Sequence, residues 1–126
     1  MTGAEGKTRC ILAIDDEPLM LTLIERILLS EGYRVLLAGD GASALSLAKE
    51  ENPDLILLDI MMPGQSGFET LEKIREITNA PVIMLTGRRD TETVQKTIDA
   101  GADDFLKKPF RPNELIARIE AKLRRV

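Results

Sequence analysis

Histidine does not occur among the 126 residues, and cysteine occurs once. The lack of histidine removes the commonest general base, the usual phosphohistidine and the commonest zinc ligand. One cysteine, Cys10, excludes an internal disulfide or a thiolate metal cluster, and its apolar neighbours suit a small core hydrophobe. No apolar run approaches the roughly 20 residues that span a bilayer, and residues 1–8 lack the apolar stretch of a signal peptide. A soluble cytoplasmic chain with no membrane partner is the expectation. An excess of basic residues is missing too. There are 17 Lys and Arg against 21 Asp and Glu, for a formal charge of -4, so no direct nucleic acid binding is expected. The short basic run Lys122, Arg124 and Arg125 reads as a helix end that complements its own dipole.

What is present is enough apolar material, 44% of residues, to close one core. Residues 1–8 read as a flexible tail and 9–126 as one domain. Short β-branched or Leu-rich runs alternate with segments of helical period. The runs are Cys10 to Ile14, Tyr33 to Ala38, Leu55 to Leu58, Val82 to Leu85 and a weaker, edge-like Phe105 to Lys107. Between the first two, Met20, Leu23, Ile24, Ile27 and Leu28 mark one face of a helix that opens at Pro18 and stops at Gly32. Asp40 is placed to cap a second helix through Ala44, Leu47 and Ala48. Ser66 and Glu69 form the capping box of a third with Leu71, Ile74 and Ile77. A fourth, Thr91 to Ala100, carries a thin stripe of Val94, Thr97 and Ile98 and should be the least firmly docked. The fifth runs from about Pro112 to Arg125 with Leu115, Ile116, Ile119 and Leu123 inward. Five strands alternating with five helices predict an α/β fold, a doubly wound parallel sheet covered on both faces.

In such sheets ligands bind at the carboxyl ends of the strands. The residues at or just past those ends are Asp15 and Asp16, Asp59, Thr86 and Lys108. Three carboxylates brought together repel one another unless a cation neutralises them. Hard oxygen ligands with open positions favour Mg²⁺, with Mn²⁺ as a substitute. A divalent ion also lets an anionic carboxylate attack a phosphoryl group, which makes Asp59 a plausible nucleophile that forms an acyl phosphate. Lys108 would neutralise further phosphoryl oxygens as a compact charge, and Thr86 could donate a hydroxyl hydrogen bond.

Four segments, Asp15-Asp16-Glu17, Leu58 to Gly64, Leu85-Thr86 and Lys107-Lys108-Pro109-Phe110, resemble in order the signatures of the response regulator receiver family. The match covers essentially the whole chain. The resemblance implies the flavodoxin-like strand order 2-1-3-4-5 and Asp59 as phosphoacceptor. It implies Asp16 and Asp59 as direct Mg²⁺ ligands, Asp15 acting through water, and the Met61 carbonyl completing the set. Thr86 and Phe105 match the switch pair, and Lys108 the invariant lysine, often followed by a cis proline, here Pro109. The implied partner is a sensor histidine kinase or phosphotransfer protein. The implied role is a signalling switch rather than an enzyme, read out on the face of the fourth helix, fifth strand and fifth helix, a face that also admits a homodimer. Asp104, Glu114 and Arg118 match charged positions used for that pairing.

Three positions depart from the pattern. Gly87 replaces the more usual alanine, Phe105 replaces the tyrosine of many members, and Met61 with Arg88 fill the variable positions that flank the phosphoryl site. Three other readings compete. A flavin-binding carrier would need small residues offering N–H donors where Asp15-Asp16-Glu17 would repel a phosphate. An aspartyl-phosphate-forming phosphohydrolase would need a general acid where Met61 stands. A structural module with a dead site conflicts with the intact polar set.

Overall fold

The computed structural model describes residues 8–62, 65–87 and 91–124. The first seven residues of the expected tail therefore lie outside it. Five parallel strands, β1 (Cys10–Ile14), β2 (Arg34–Ala38), β3 (Leu55–Asp59), β4 (Val82–Thr86) and β5 (Asp104–Lys107), form one sheet in the order β2-β1-β3-β4-β5. The helices between and after them are α1 (Pro18–Ser30), α2 (Gly41–Glu51), α3 (Gly67–Ile77), α4 (Thr91–Asp99) and α5 (Pro112–Leu123). Fold and strand order are those expected.

Successive side chains of a strand point to opposite faces, so the central strands build two cores. Leu12, Ile14, Ile56, Leu58, Val82 and Met84 pack with Ala44 and Ala48 of α2 and Leu71 and Ile74 of α3. Ile11, Ala13, Leu55, Leu57, Ile83 and Leu85 pack with Ile24 and Leu28 of α1 and Leu115, Ile119 and Leu123 of α5. Cys10 is buried, and burial is the main cause that pushes its thiol pKa up, against the pull of nearby Arg34. Asp40 caps α2 by accepting a 2.7 Å hydrogen bond from the Ser43 backbone N–H. Gly32 and Gly101, at φ +89° and +97°, end α1 and α4 in a conformation that suits glycine. No helix among the described residues is long and apolar enough to cross a membrane.

Two inward faces need correction. Leu23 is 43% exposed, because the buried line of α1 runs through Ile24 and Leu28 and a residue about 100° away falls beyond its edge. In α4, Thr97 is buried but Ile98, one step around the helix, is 58% exposed. Among the described side chains of α4, Thr97 alone is buried, and Val94 is not one of them. Ile77 lies at the margin of the α3 face. The segment after β3 is not a plain loop: Met61–Met62 and Gln65–Ser66 form a two-stranded antiparallel ribbon. The side chain of Ser66, and with it the expected Ser66–Glu69 box, lies outside the described residues.

Candidate phosphoryl and metal site

All the predicted strand-end residues meet at one rim of the sheet. Asp15 follows β1, and its backbone N–H extends the ladder to the Ala38 carbonyl at 3.1 Å. Its side chain is fully buried; Oδ1 accepts from the Glu17 N–H at 3.0 Å and Oδ2 from the Lys108 Nζ at 2.7 Å. Asp59 ends β3 opposite Leu85 and is 4% exposed. Asp16, more exposed, completes a group in which one carboxylate oxygen from each of Asp15, Asp16 and Asp59 lies within 4.8 Å of the others. Thr86 ends β4 and is buried.

Lys108 closes the site from the fifth strand. Its backbone N–H donates to the Thr86 carbonyl at 2.7 Å, tying the two residues together, and the Lys108–Pro109 peptide is cis. Its side chain is 15% exposed, and the ammonium stands 3.5 Å from Asp59 Oδ1 and 3.8 Å from Glu17 Oε1. Burial alone would pull the lysine pKa down. The hydrogen bond to Asp15 and the charges of Asp59, Asp15 and Glu17 outweigh it and hold the group above its ordinary value. The expected switch partner Phe105 is half-buried and packs on the core beneath α2 and α3.

Acceptor-only carboxylates, two of them buried, held close together beside a single ammonium, fit a small hard divalent ion better than any soft metal. The Met61 backbone is in the short ribbon beside the site, while its side chain and the whole of Arg88 lie outside the described residues. A Cβ on Gly87 would meet nothing within 4 Å, so the glycine there is not required by packing.

Two contributors were not legible in the sequence. Glu17 stands in the electrostatic shell of Lys108. Gly67, the first residue of α3, presses on the chain just after the acceptor strand. Its N–H donates to the Ile60 carbonyl at 2.8 Å, and a Cβ there would collide with the Asp59 carbonyl and come within 2.7 Å of the Ile60 Cα. Only a glycine lets α3 begin so near Asp59. A glycine four residues after Pro63 was the one available sign.

Comparison with known proteins agrees with this arrangement. Residues 11–120 match the sequence model of the response regulator receiver domain. The chain is 42% identical over 115 residues to the DNA-binding response regulator MtrA of Mycolicibacterium smegmatis, covering 91% of this chain and 50% of that protein. It is 45% identical over 115 residues to the transcriptional regulatory protein CpxR of Klebsiella pneumoniae, covering 91% of this chain and 49% of the other. Among solved structures, a CheY-like receiver domain protein of Methanospirillum hungatei superposes with a TM-score of 0.90 at 33% identity, covering 94% of this chain and 96% of that one. The chain spans about half the length of the curated relatives it matches.

Proposed function

Since the chain belongs to the response regulator receiver domain family, a group of signalling switches, we propose that Asp59 is its phosphoacceptor, served by Asp15, Asp16, Thr86 and Lys108. The observation that carries this reading is the convergence of three carboxylates and one lysine, from three separate strand ends, on a single rim.

Asp16, Asp59 and the Met61 carbonyl would hold Mg²⁺, or Mn²⁺ in its place, with Asp15 acting through water. Such an ion supplies charge neutralisation and polarises a phosphoryl oxygen. The Asp59 carboxylate attacks the phosphorus in line, the bond to the donor breaks, and an acyl phosphate remains. Lys108 follows the negative charge from Asp15 and Asp59 onto the new phosphoryl oxygens, moving only a short way because its backbone is fixed to Thr86. Thr86 turns its hydroxyl onto another oxygen, and Phe105 moves inward behind it. The response is then read on the α4-β5-α5 face, which also serves for pairing with a second copy.

The phosphoryl donor is a sensor histidine kinase or a phosphotransfer protein, and phosphotransfer and loss of the phosphoryl group are both promoted by the domain itself. Residues 9–126 form the receiver and 1–8 its tail. The named relatives are DNA-binding and transcriptional regulators of about twice this length, so the output of a protein of this kind is gene control. This domain does not touch the nucleic acid itself, and it works in the cytoplasm away from any membrane. Intact-mass measurement after treatment with acetyl phosphate tests the assignment. A single addition of one phosphoryl group should require Mg²⁺ and vanish in Asp59→Asn; undiminished addition in that variant would refute it.

A further inference from the structure

At the opposite end of the sheet from the carboxylates, one guanidinium ties three segments together. Arg75, in the last turn of α3, donates from Nη1 to the Ala80 carbonyl at 2.7 Å. Its Nε and Nη2 both donate to the Gly101 carbonyl, at 3.1 and 3.0 Å, and Nη2 also donates to Asp103 Oδ2 at 2.7 Å. Asp103 is itself held: Oδ2 accepts from the Val82 N–H at 2.8 Å, and its own N–H donates to the Val82 carbonyl at 2.9 Å. The helix that carries Arg75 is anchored on the sheet by Leu71 and Ile74, both fully buried. A planar guanidinium in a fixed fork holds such a set of acceptors where a lysine could not.

We propose that Arg75 is a positioning residue that pins the carboxyl end of α4, so that displacement of α4 on activation is a swing about the Gly101 turn that leaves the turn itself in place. The inference rests on the functional reading above, in which α4 belongs to the responding face.

The geometry favours a swing over a slide. α4 begins after Thr86, at the carboxyl end of the sheet, and ends at Gly101, at the amino end. The length of β4, about 13 Å, separates the two. At the carboxyl end, Gly101 at φ +97° lies directly against Arg75, whose Nε is 3.7 Å from where a Cβ would be. Four successive amides there are bonded: Ala100 to Lys96, Gly101 to Ile98, Ala102 to Thr97 and Asp103 to Val82. Within α4 itself, two side-chain contacts stand out. Thr97 is the only buried side chain among those described, and Lys96 stacks its ammonium 5.4 Å from the centre of the Phe68 ring. A rigid anchor at one end makes that end the pivot of any displacement of the helix. The polarity puts the opposite end of the helix beside the acceptor.

Site-resolved amide exchange tests this in two arms, with Arg75→Met, Arg75→Lys and the milder Asp103→Asn. Without any ligand, Ala102 and Asp103 should exchange at least about tenfold faster in Arg75→Met, as loss of bonds to a charged group requires, with a smaller effect in the other two variants. With Mg²⁺ and beryllium fluoride, wild-type changes should fall in the first two turns of α4 and spare Gly101 to Asp103. In Arg75→Met they should spread into the turn, while beryllium fluoride binding to Asp59 is unaltered. Unchanged exchange at Ala102 and Asp103 in Arg75→Met overturns the proposal, as do wild-type changes as large at those amides as at the start of α4. A purely structural role would lower global stability in the urea titration without altering where beryllium fluoride acts, and that result also overturns it. Absence of any Asp59-dependent response in the wild type would instead strike the functional reading itself.

Discussion

The ammonium of Lys108 lies 2.7 Å from Oδ2 of Asp15, a contact between residues 93 positions apart in the chain. Asp15 is fully buried and Lys108 partly so, which puts this pair among the ion pairs that are costly to break rather than those that are negligible at a surface. In the metal-free domain the lysine is the counter-charge of the carboxylate cluster.

Lys108→Met should therefore destabilise the metal-free domain by about 3 kcal/mol, because an uncompensated carboxylate is left inside. Added Mg²⁺ should restore more stability to this variant than to the wild type. Urea titrations with and without Mg²⁺ measure both effects; equal restoration would mean that lysine and metal do not share the carboxylates.

Gly67→Ala should cost about 1–3 kcal/mol, since the new methyl meets backbone rather than a yielding side chain. It should also slow phosphoryl uptake, because relief of the clash requires movement of the chain at Asp59 and Ile60. Acetyl phosphate kinetics at matched fractions folded separate the two, and a normal rate would confine Gly67 to packing.

The Thr70 hydroxyl is fully buried in α3 and finds no hydrogen-bond partner among the described residues. Thr70→Val keeps the shape and removes the stranded oxygen, so it should be neutral or stabilising by up to about 1 kcal/mol. A loss of stability of that size in thermal unfolding would reveal an unrecognised partner for the hydroxyl.

The cap of α2 sets an acid limit. The Ser43 backbone N–H, assisted by the Ser43 side chain and the Ala42 N–H, holds the Asp40 carboxyl below its ordinary value of 3.8. The unfolded chain therefore binds that proton more readily. The contribution of the cap is complete above the ordinary carboxylate range and is lost as pH falls through the lower, folded value. Asn caps about as well as Asp, so Asp40→Asn should match the wild type near neutrality and lose less stability below about pH 4. Parallel acid limbs in urea midpoints against pH would contradict this.

The strand ends were readable because a carboxylate after a continuous apolar run is chemically out of place: Asp15 and Asp59 end runs of Ile and Leu, and Lys108 directly follows the edge strand. Leu23 and Ile98 misled because apolarity marks a candidate face but does not fix its angular centre, which depends on where the helix axis lies over the sheet. The state of the Lys108–Pro109 bond stayed open because tertiary context, not the dipeptide, selects the isomer. Gly67 and Arg75 went unseen for a related reason. Each acts through backbone atoms of segments distant in sequence, and no local period encodes such a contact.

The strand order has a consequence for assembly on the ribosome. β1 lies inside the sheet between β2 and β3, and β4 and β5 then add in turn on one side. A chain that has emerged only as far as Asp59 holds all three strands that place Asp15 and Asp59 side by side, but it lacks the residue that answers their charge. The last strand made delivers the cation for an acid in the first turn of chain after β1. A nascent domain therefore holds these carboxylates without their ammonium until β5 docks, and only the finished sheet supplies it.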